Sequence, residues 1–326
     1  MHICILSSRN ICDHQNWGGV HTHLSNLVTV LIELGHNVSL ITNEGEKIFR
    51  NGALQIIPAC HHKDKSNNNK CINNISNILK NLHKGNYVDC IFSEGVPAKQ
   101  FIKLSQKLRI PIIAFVHNLY MHYFYNNWQE VEGLKTLKSY IFRSVPIYIY
   151  GMFFKDIPSL RRCDYIISGS GAISSHIRKI YRISANRILP IHNWVDDNKF
   201  QRNIFQRKAT RQIHRINEDN IIFLMIGCLW RPKGFRTALK AFHRLAKITP
   251  QARLWIIGEG PDRFYIQKYI NKYSLTERIK LFGFIPNSDL PSFYSAADVF
   301  ILPSLLNEVL PYTLLEAMSC ELPIIA

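Results

Sequence analysis

Short apolar runs alternate with helical segments along the whole chain, and this alternation constrains its fold more than any other feature. Continuous apolar strands are typical of sheets buried on both faces, and parallel strands require crossovers such as the helices between them. The first series of predicted strands lies at residues 3–6, 37–42, 54–57, 88–92, 111–116, 164–168 and 187–191. Helices are predicted between them at 20–34, 72–84, 96–108 and 171–182. The pattern therefore predicts an α/β fold with a parallel sheet covered by helices.

A second series begins near residue 220 and repeats the alternation. Its predicted strands are 221–227, 254–258, 279–282, 298–302 and 322–326, and its predicted helices are 235–247, 262–273 and 311–320. The polar stretch 196–218 separates the two series, so we expect two doubly wound, Rossmann-like domains at 1–200 and 201–326 that face a cleft at their strand ends. Because a complete doubly wound domain has about six strands, we expect the second domain to be truncated at its carboxyl end.

Composition narrows the class of protein further. Apolar residues make up 47% of the 326 residues and charged residues 19%, which excludes a disordered chain. The first apolar run is too short for the core of a signal peptide, and no run is long enough to span a bilayer. The eight cysteines form no C-x-x-C pair, so we expect reduced thiols in a cytoplasmic protein.

The formal charge of +17 favours an anionic partner, which composition alone leaves open as a membrane surface, a nucleic acid or a phosphorylated substrate. Residues 1–200 carry 23 Lys or Arg against 13 Asp or Glu, a net +10. A solvated basic surface explains this charge equally well. The aromatic and apolar insertion 119–160 is predicted either to pack on the first domain as a pair of helices, or to lie in a membrane interface or line an acceptor site.

Two segments at helix starts are candidate phosphate-binding sites. Gly18 and Gly19 lie between the first strand and the first helix, where a phosphate can approach backbone amides at a helix amino terminus. Arg231 and Lys233 precede the helix after strand 221–227, and cations at that position can neutralise the diphosphate leaving group of a nucleotide-linked substrate. An ordinary turn and an ordinary basic helix start are the alternatives.

Two glutamates eight residues apart form the most specific pattern in the chain. Glu308 lies in the loop after a predicted strand, and Glu316 lies within the next helix. The helix amino terminus between them favours an anion such as a diphosphate. Glu316 is placed to reach a ribose, and Glu308 is expected to face the cleft.

Taken in order, these segments resemble the retaining glycosyltransferases of family 4 (group 1), which have the GT-B fold. The resemblance covers nearly all 326 residues, and it rests on segments 18–21, 35–38, 191–196, 227–234, 257–261, 282–285 and 303–318. It implies transfer of a hexose-type sugar from a nucleotide-diphosphate sugar with retention, without a metal and without any other cofactor. We expect the acceptor to be a glycolipid, oligosaccharide or polysaccharide of the cell surface, such as lipopolysaccharide, met at the inner face of an anionic membrane, because residues 1–200 carry a net +10 and segment 145–154 is apolar. No nucleic-acid partner is expected.

The resemblance also implies a role for each matched residue. The implied catalytic residues are His117 at the transferred sugar, Lys233 at the diphosphate and Glu308 at the sugar hydroxyls. The implied donor-binding residues are Gly18, Gly19, Arg231, Phe284, Ile285, Leu310 and Glu316, with Glu316 at the ribose and main chain near Phe284 and Ile285 at the base. Cys228 lies where the family often has a phosphate-binding arginine. With fewer cations at the diphosphate, we expect its binding to depend more strongly on the charge of Lys233.

Other interpretations remain open from the sequence. A nucleic-acid-binding protein would use a basic helix face, and one is predicted from the spacing of Arg207, Lys208, Arg211 and Arg215. A sugar-nucleotide epimerase shares the fold, and an inactive truncated glycosyltransferase fits an incomplete second domain. His21 and His23 are two residues apart on a helix and are predicted to point to different faces, so we expect no metal site from that pair.

Overall fold

The predicted alternation of strands and helices is present in the computed structural model, which describes residues 1–7, 18–43, 48–59, 68–117, 119–120, 137–305, 308 and 310–326. The chain divides into two units, Met1–His192 and Asn193–Ala326. The second unit thus begins at Asn193, before the boundary expected at residue 200, because side chains after His192 pack with the second unit. Asn193 Nδ2 donates to the Leu310 carbonyl at 2.9 Å, and Phe200 is buried in the second core.

The first unit is built on an eight-stranded sheet. Its strands are β1 (His2–Ser7), β2 (Asn37–Thr42), β3 (Phe49–Asn51), β4 (Leu54–Pro58), β5 (Cys90–Glu94), β6 (Ile112–Val116), β7 (Tyr165–Ser168) and β8 (Ile188–Pro190), in the order β3-β4-β2-β1-β5-β6-β7-β8. All pairings are parallel except that of β3 with β4. The strand order reverses between β1 and β5, the topological switch point at which α/β sheets bind ligands.

Helices lie between these strands where the sequence predicts them, and two further helices lie in the insertion 119–160. They are α1 (Gly19–Glu33), α2 (Asn68–Gly85), α3 (Lys99–Leu108), α4 (Val145–Gly151), α5 (Ile157–Leu160) and α6 (Gly171–Lys179). Leu24 and Val28 of α1 are buried in the core with strand residues such as Ile5. The chain turns out of α1 at Gly35, whose φ of 80° is the left-handed conformation that glycine adopts without steric cost.

The second unit has a five-stranded, wholly parallel sheet. Its strands are β9 (Ile221–Ile226), β10 (Ala252–Ile257), β11 (Ile279–Gly283), β12 (Val299–Ile301) and β13 (Ile324–Ile325), in the order β11-β10-β9-β12-β13. Its helices are α7 (Ile204–Ile213), α8 (Phe235–Ile248), α9 (Arg263–Lys272), α10 (Leu290–Ala296) and α11 (Tyr312–Ser319). One core cluster joins the sheet to α8 and α9, and another joins it to α10 and α11. The sheet is therefore covered on both faces, as predicted.

Of the insertion 119–160, the structure describes residues 119–120 and 137–160. In its described part, α4 and α5 join π-helical turns at Tyr140–Ser144 and Met152–Asp156 to form one continuous helix, which we call the Tyr140–Leu160 helix. The buried Asp156 carboxylate anchors this helix, because it accepts hydrogen bonds from Tyr120 N at 2.8 Å and from the Tyr181 hydroxyl at 2.9 Å. Its outer side exposes Ile141, Phe142, Ile147, Ile149, Tyr150, Phe153 and Phe154. In the part of the chain that the structure describes, no helix combines the length and apolar character needed to span a bilayer.

Helix α7 does not present the predicted basic face. Arg207 donates to Asp298 Oδ1 at 2.8 Å, and Arg211 donates to Asp298 Oδ2 at 2.6 Å. The Arg211 side chain is only 1% exposed, since it also donates to backbone carbonyls that include Ala296 O. Two of the four basic residues thus point into the second unit, and the prediction of one continuous basic face is wrong.

The cysteines follow the prediction with one exception. Cys4, Cys90, Cys163, Cys228 and Cys320 are free thiols, whereas Cys71 is disulfide-bonded. The expectation that every cysteine is reduced is therefore wrong at Cys71, because spacing along the sequence does not reveal which thiols are close in space.

Candidate active site

The carboxyl ends of three adjacent strands in the first unit bring together a serine, a glutamate and a histidine. Ser7 ends β1, Glu94 ends β5, and His117 follows β6. The Ser7 hydroxyl donates to Glu94 Oε2 at 2.8 Å, and His117 Nε2 lies 3.3 Å from Glu94 Oε1. Because the carboxylate is held on one side by Ser7 and meets the imidazole on the other, Glu94 orients His117 at the switch point of the sheet.

A second histidine, from helix α1, packs against the same cluster. The His23 ring lies 4.1 Å from the Phe115 ring and meets His117 edge-on at 4.9 Å, measured between centroids. Burial, together with the charge of His117, lowers the pKa of His23 to about 3. The His23 imidazole is therefore neutral at physiological pH. Candidate ligand atoms of His23, Glu94 and His117 all lie within 4.8 Å of one another, so these residues could hold a metal ion.

Gly18 and Gly19 lie at the start of α1 and are exposed. Gly18 has extended backbone, with a φ of −158°, and a Cβ placed on it would meet no atom within 4 Å. None of the residues that the structure describes fills the space beside Gly18, where a ligand could approach the first amides of α1.

In the second unit, the predicted lysine and the first predicted glutamate meet directly. Lys233 Nζ donates to Glu308 Oε1 at 2.5 Å, and the Ser304 hydroxyl donates to the same oxygen at 2.7 Å. The Lys233 and Glu308 side chains are 27% and 19% exposed, so both remain accessible from solvent. A cation and a carboxylate held side by side can bind a phosphate and a sugar hydroxyl respectively.

The two loops that carry this pair are joined through their backbones. Leu305 N donates to the Pro232 carbonyl at 2.8 Å. Gly234 has a φ of +75°, and a Cβ on it would lie 1.7 Å from the Pro303 carbonyl oxygen. Glycine is required at position 234 for both conformation and space, and it lets the lysine turn lie against the glutamate loop.

The second predicted glutamate is enclosed rather than exposed. Glu316 on α11 is 2% exposed, and it accepts hydrogen bonds from the Tyr294 hydroxyl at 2.7 Å and from Asn287 Nδ2 at 3.1 Å. Lys199 Nζ donates to Asn287 Oδ1 at 2.5 Å. Burial raises the pKa of Glu316, although both hydrogen bonds and the charge of Lys199 oppose that shift.

The other predicted residues lie on loops of the second unit. Arg231 is half-buried in the same short 3-10 turn as Lys233, and Phe284 and Ile285 follow β11. Leu310 has a φ of 62°, and its carbonyl accepts the bond from Asn193. Val309, between the two predicted glutamates, lies outside the described residues.

Sequence reasoning missed the residues that hold the predicted ones in place. Ser7 and Glu94 belong to no motif, and only the register of β1, β5 and β6 brings them to His117. Asn287 and Tyr294 likewise show no pattern in the sequence that links them to Glu316. Ser304 lies in the segment 303–318 that contains the glutamate pair, but nothing in the sequence marks its bond to Glu308.

Models of known protein families match both halves of the chain. Residues 17–199 match the family model "Glycosyltransferase Family 4", and residues 206–326 match "Glycosyl transferases group 1". An uncharacterized glycosyltransferase of Methanocaldococcus jannaschii is 27% identical over 199 residues, which are 61% of this chain and 47% of that protein. A UDP-Gal:alpha-D-GlcNAc-diphosphoundecaprenol alpha-1,3-galactosyltransferase of Escherichia coli is 32% identical over 155 residues, 46% of this chain and 38% of that protein. The chain thus spans less than half the length of these relatives.

Solved structures show the same fold. Sucrose-phosphate synthase of Thermosynechococcus elongatus matches with a TM-score of 0.77 at 18% identity, covering 100% of this chain and 81% of that one. Anabaena HepE in complex with UDP matches at 0.69 and 16% identity, covering 100% and 80%. WaaG, a glycosyltransferase involved in lipopolysaccharide biosynthesis, matches at 0.69 and 18% identity, covering 99% and 80%. The family 4 model matches more than half of the chain, and the group 1 model matches most of the rest. This chain therefore belongs to the family 4 (group 1) glycosyltransferases, which have the GT-B fold.

Proposed function

We propose that this protein transfers a hexose-type sugar from a nucleotide-diphosphate sugar to a glycolipid or surface polysaccharide, with retention and without a metal. The observation that carries the proposal is the Lys233–Glu308 pair, held by Ser304 after β12 and accessible from solvent. A transferase of this kind needs a fixed cation for its leaving group and an acceptor for sugar hydroxyls. The pair supplies both groups in one place.

Lys233 acts on the leaving group. Negative charge grows on the diphosphate when its bond to the sugar breaks, and a cation already in position stabilises that charge without reorganising. In the resting protein Glu308 holds Lys233, so the incoming diphosphate competes with a carboxylate for Nζ. Once the lysine has turned to the phosphate, the Glu308 carboxylate is available to accept hydrogen bonds from sugar hydroxyls.

His117 and Glu316 complete the proposed assignment. Glu94 orients the His117 imidazole, whose proposed role is contact with the transferred sugar. Glu316 accepts one hydrogen bond at each oxygen from its neighbours, which leaves each oxygen a further lone pair for a ribose hydroxyl. Tyr294 and Asn287 then serve to fix the carboxylate for the nucleotide.

Transfer is tested with the purified chain and a panel of UDP-, GDP- and ADP-sugars, with lipid-linked and oligosaccharide acceptors. We expect release of free nucleotide only when donor and acceptor are both present, and no loss of activity in EDTA. Epimerised donor without acceptor would instead support the epimerase. Loss of activity in EDTA that a divalent ion restores would contradict the metal-free mechanism. Retention is checked by the anomeric configuration of the product, determined by NMR.

The proposed acceptor is membrane-borne, and the exposed side of the Tyr140–Leu160 helix supports this. Phe153 and Phe154 are 55% and 57% exposed, Tyr150 stacks on Phe154 at 5.0 Å, and Arg143 and Lys155 lie on the same helix. Aromatic rings beside basic residues are typical of surfaces that bind the interface of anionic membranes. The Escherichia coli relative is itself named for a diphosphoundecaprenol-linked substrate.

Flotation with phosphatidylglycerol-containing liposomes tests the membrane proposal. We expect the wild-type chain to float with anionic vesicles and the double variant Phe153→Ser/Phe154→Ser to remain below. The matched control is Phe205→Ser, since Phe205 is an 81% exposed aromatic residue on α7 of the second unit. Absence of wild-type binding at moderate salt would favour a soluble acceptor instead.

A further inference from the structure

The cluster of His23, Glu94 and His117 has a composition and spacing that the transferase role does not require. We propose that this cluster binds a transition-metal dication of the zinc type, and that the bound metal blocks sugar transfer by occupying His117. The binding step rests on geometry alone. The blocking step rests also on the proposed function, because it assumes that His117 contacts the sugar.

The distances suit a zinc ion. Two ligands of a tetrahedral zinc, each about 2.1 Å from the metal, lie about 3.4 Å apart. His117 Nε2 and Glu94 Oε1 are 3.3 Å apart, and the His23 ligand atom lies within 4.8 Å of both. Closing the cluster onto a metal therefore requires a movement of at most about 1.4 Å at His23, with the ligands carried at the ends of two strands and on one helix.

The donor set selects the class of metal. Two imidazole nitrogens and one carboxylate oxygen are the ligands of many zinc sites that leave a fourth position open for water. Magnesium and calcium prefer oxygen ligands throughout, so they are poor candidates. Ser7 completes the arrangement, because its hydroxyl holds the other oxygen of Glu94 at 2.8 Å, as outer partners of metal ligands commonly do.

The burial of the cluster shows where a metal would enter and what it would displace. The Glu94 side chain is 2% exposed and His23 is 1% exposed, whereas the His117 side chain is 16% exposed. The His117 edge is thus the most open part of the cluster, and it is also the edge assigned to the sugar. A metal bound there would exclude the donor, so zinc would inhibit an enzyme that needs no metal for transfer.

The binding step is tested by calorimetric titration of the chelator-stripped full chain with ZnCl₂, in the absence of donor. We expect His23→Phe and Glu94→Gln to lose the tightest site, and Ser7→Ala to weaken it about 10-fold. His23→Phe retains an aromatic ring against Phe115 but removes the ligand. His36→Phe is the matched control, since His36 lies just beyond the same helix and outside the cluster, and its zinc affinity should equal that of the wild type.

Cobalt(II) provides a second readout that does not depend on any variant. A tetrahedral site with two nitrogen ligands should give intense visible absorption in the wild-type protein, and zinc should abolish it. Weak absorption typical of six-coordinate cobalt would overturn the proposal, as would equal zinc affinity in the wild type, His23→Phe and Glu94→Gln. If His23→Phe fails to fold, the zinc affinity of Glu94→Gln and the cobalt spectrum of the wild type still test the proposed metal site.

The blocking step is tested by the ratio of transfer rates with and without one equivalent of zinc. We expect inhibition of the wild type that EDTA reverses, and no change of the ratio in Glu94→Gln if that variant retains transfer. Zinc binding without inhibition would overturn the blocking step. Zinc binding by a protein that transfers no sugar from any donor would contradict the proposed function and leave the metal site standing.

Discussion

At the scale of single residues, two cations of the second unit illustrate different uses of positive charge. Arg211 is 1% exposed and donates to Asp298 and to several backbone carbonyls, so its charge is committed to the fold. Lys233 is 27% exposed and donates to one carboxylate that a ligand can replace. The burial of each side chain and the number of its hydrogen-bond partners, rather than its charge, decide which of these cations is available to bind a ligand.

For Lys233 we predict a loss of catalysis rather than of folding. Lys233→Ala should lower kcat by about 10²–10³, the range found when one preorganised electrostatic group is removed from an active site. Rates at saturating donor separate this loss from weaker binding. Lys240→Ala, an exposed lysine on α8, is the matched control. Near-normal kcat in Lys233→Ala together with a large loss in Arg231→Ala would instead place the phosphate clamp at Arg231.

For Arg211 we predict a loss of stability. Arg211→Ala should lower the free energy of unfolding of the second unit by about 2–4 kcal/mol, since it leaves the backbone carbonyls of Ala296, Asn217 and Asn220 without their donor while Arg207 still pairs with Asp298. Urea denaturation of both proteins measures the difference. Lys208→Ala on the exposed side of the same helix should change stability by less than about 0.5 kcal/mol. Equal midpoints for the two variants would show that the loss of these Arg211 hydrogen bonds does not destabilise the second unit.

At the scale of elements, the loops that carry Lys233 and Glu308 in the second unit are joined to each other. The turn Arg231–Lys233 and the loop after β12 are joined by the Leu305–Pro232 hydrogen bond and by the close approach of Gly234 to Pro303. The position of Lys233 therefore depends on a residue that contacts no substrate. This dependence makes the glycine a positioning residue.

We predict that Gly234→Ala separates the two loops. The new Cβ cannot occupy its place 1.7 Å from the Pro303 carbonyl oxygen, and a φ of +75° costs an alanine about 1 kcal/mol or more. We expect weaker donor binding, a lower kcat and a lower melting temperature. Gly85→Ala is the control, since a methyl group added at Gly85 would meet no atom within 4 Å. Unchanged kinetics in Gly234→Ala would mean that the loops adjust independently.

The spacing of apolar residues predicted the strands and helices that alternate clearly along the chain, and it missed elements that lack an apolar pattern. Apart from the short edge strand β3, the strands of both sheets were predicted from apolar runs, and the GT-B fold was confirmed. Helix α7 lies in the polar stretch 196–218, which was interpreted as the boundary between the two series; a helix face was considered there only for the nucleic-acid alternative, and two of its arginines point inward. In α10, residues on every side are buried, so no apolar stripe marks it as a helix.

For a related reason, only part of the candidate site could be predicted from the sequence. Lys233 and Glu308 belong to segments typical of the family, and the structure brings the two side chains together as an ion pair. Glu94 gave no such signal, because its importance comes from the register of β5 against β6. The implied roles of the predicted site residues at donor and acceptor stay predictions until transfer is measured.

At the scale of the whole molecule, each unit has its own sheet and its own core. The core of the first unit includes Ile5 and Leu40, and that of the second is built around Trp255 and Phe300. All the proposed nucleotide contacts except Gly18 and Gly19 belong to the second unit. Ligand binding should therefore stabilise the two units to different extents.

Scanning calorimetry with UDP, ADP or GDP tests this difference. We predict that the correct nucleotide raises the transition of the second unit, with a stabilisation of about 2.7 kcal/mol when it is present at 100 times its Kd. The transition that moves should be the one that Arg211→Ala lowers. A shift confined to the other transition would place the nucleotide on the first unit.

The resting Lys233–Glu308 pair has a consequence for selectivity among cellular anions. Inorganic phosphate offers charge and no sugar, so it would gain the lysine only by leaving the Glu308 carboxylate without its cation. In the proposed assignment a nucleotide sugar compensates both groups at once, because its phosphate would meet Nζ while a hydroxyl would meet the carboxylate. Anion binding would then be an exchange that favours the bifunctional ligand, and we expect simple phosphates to compete poorly for the site.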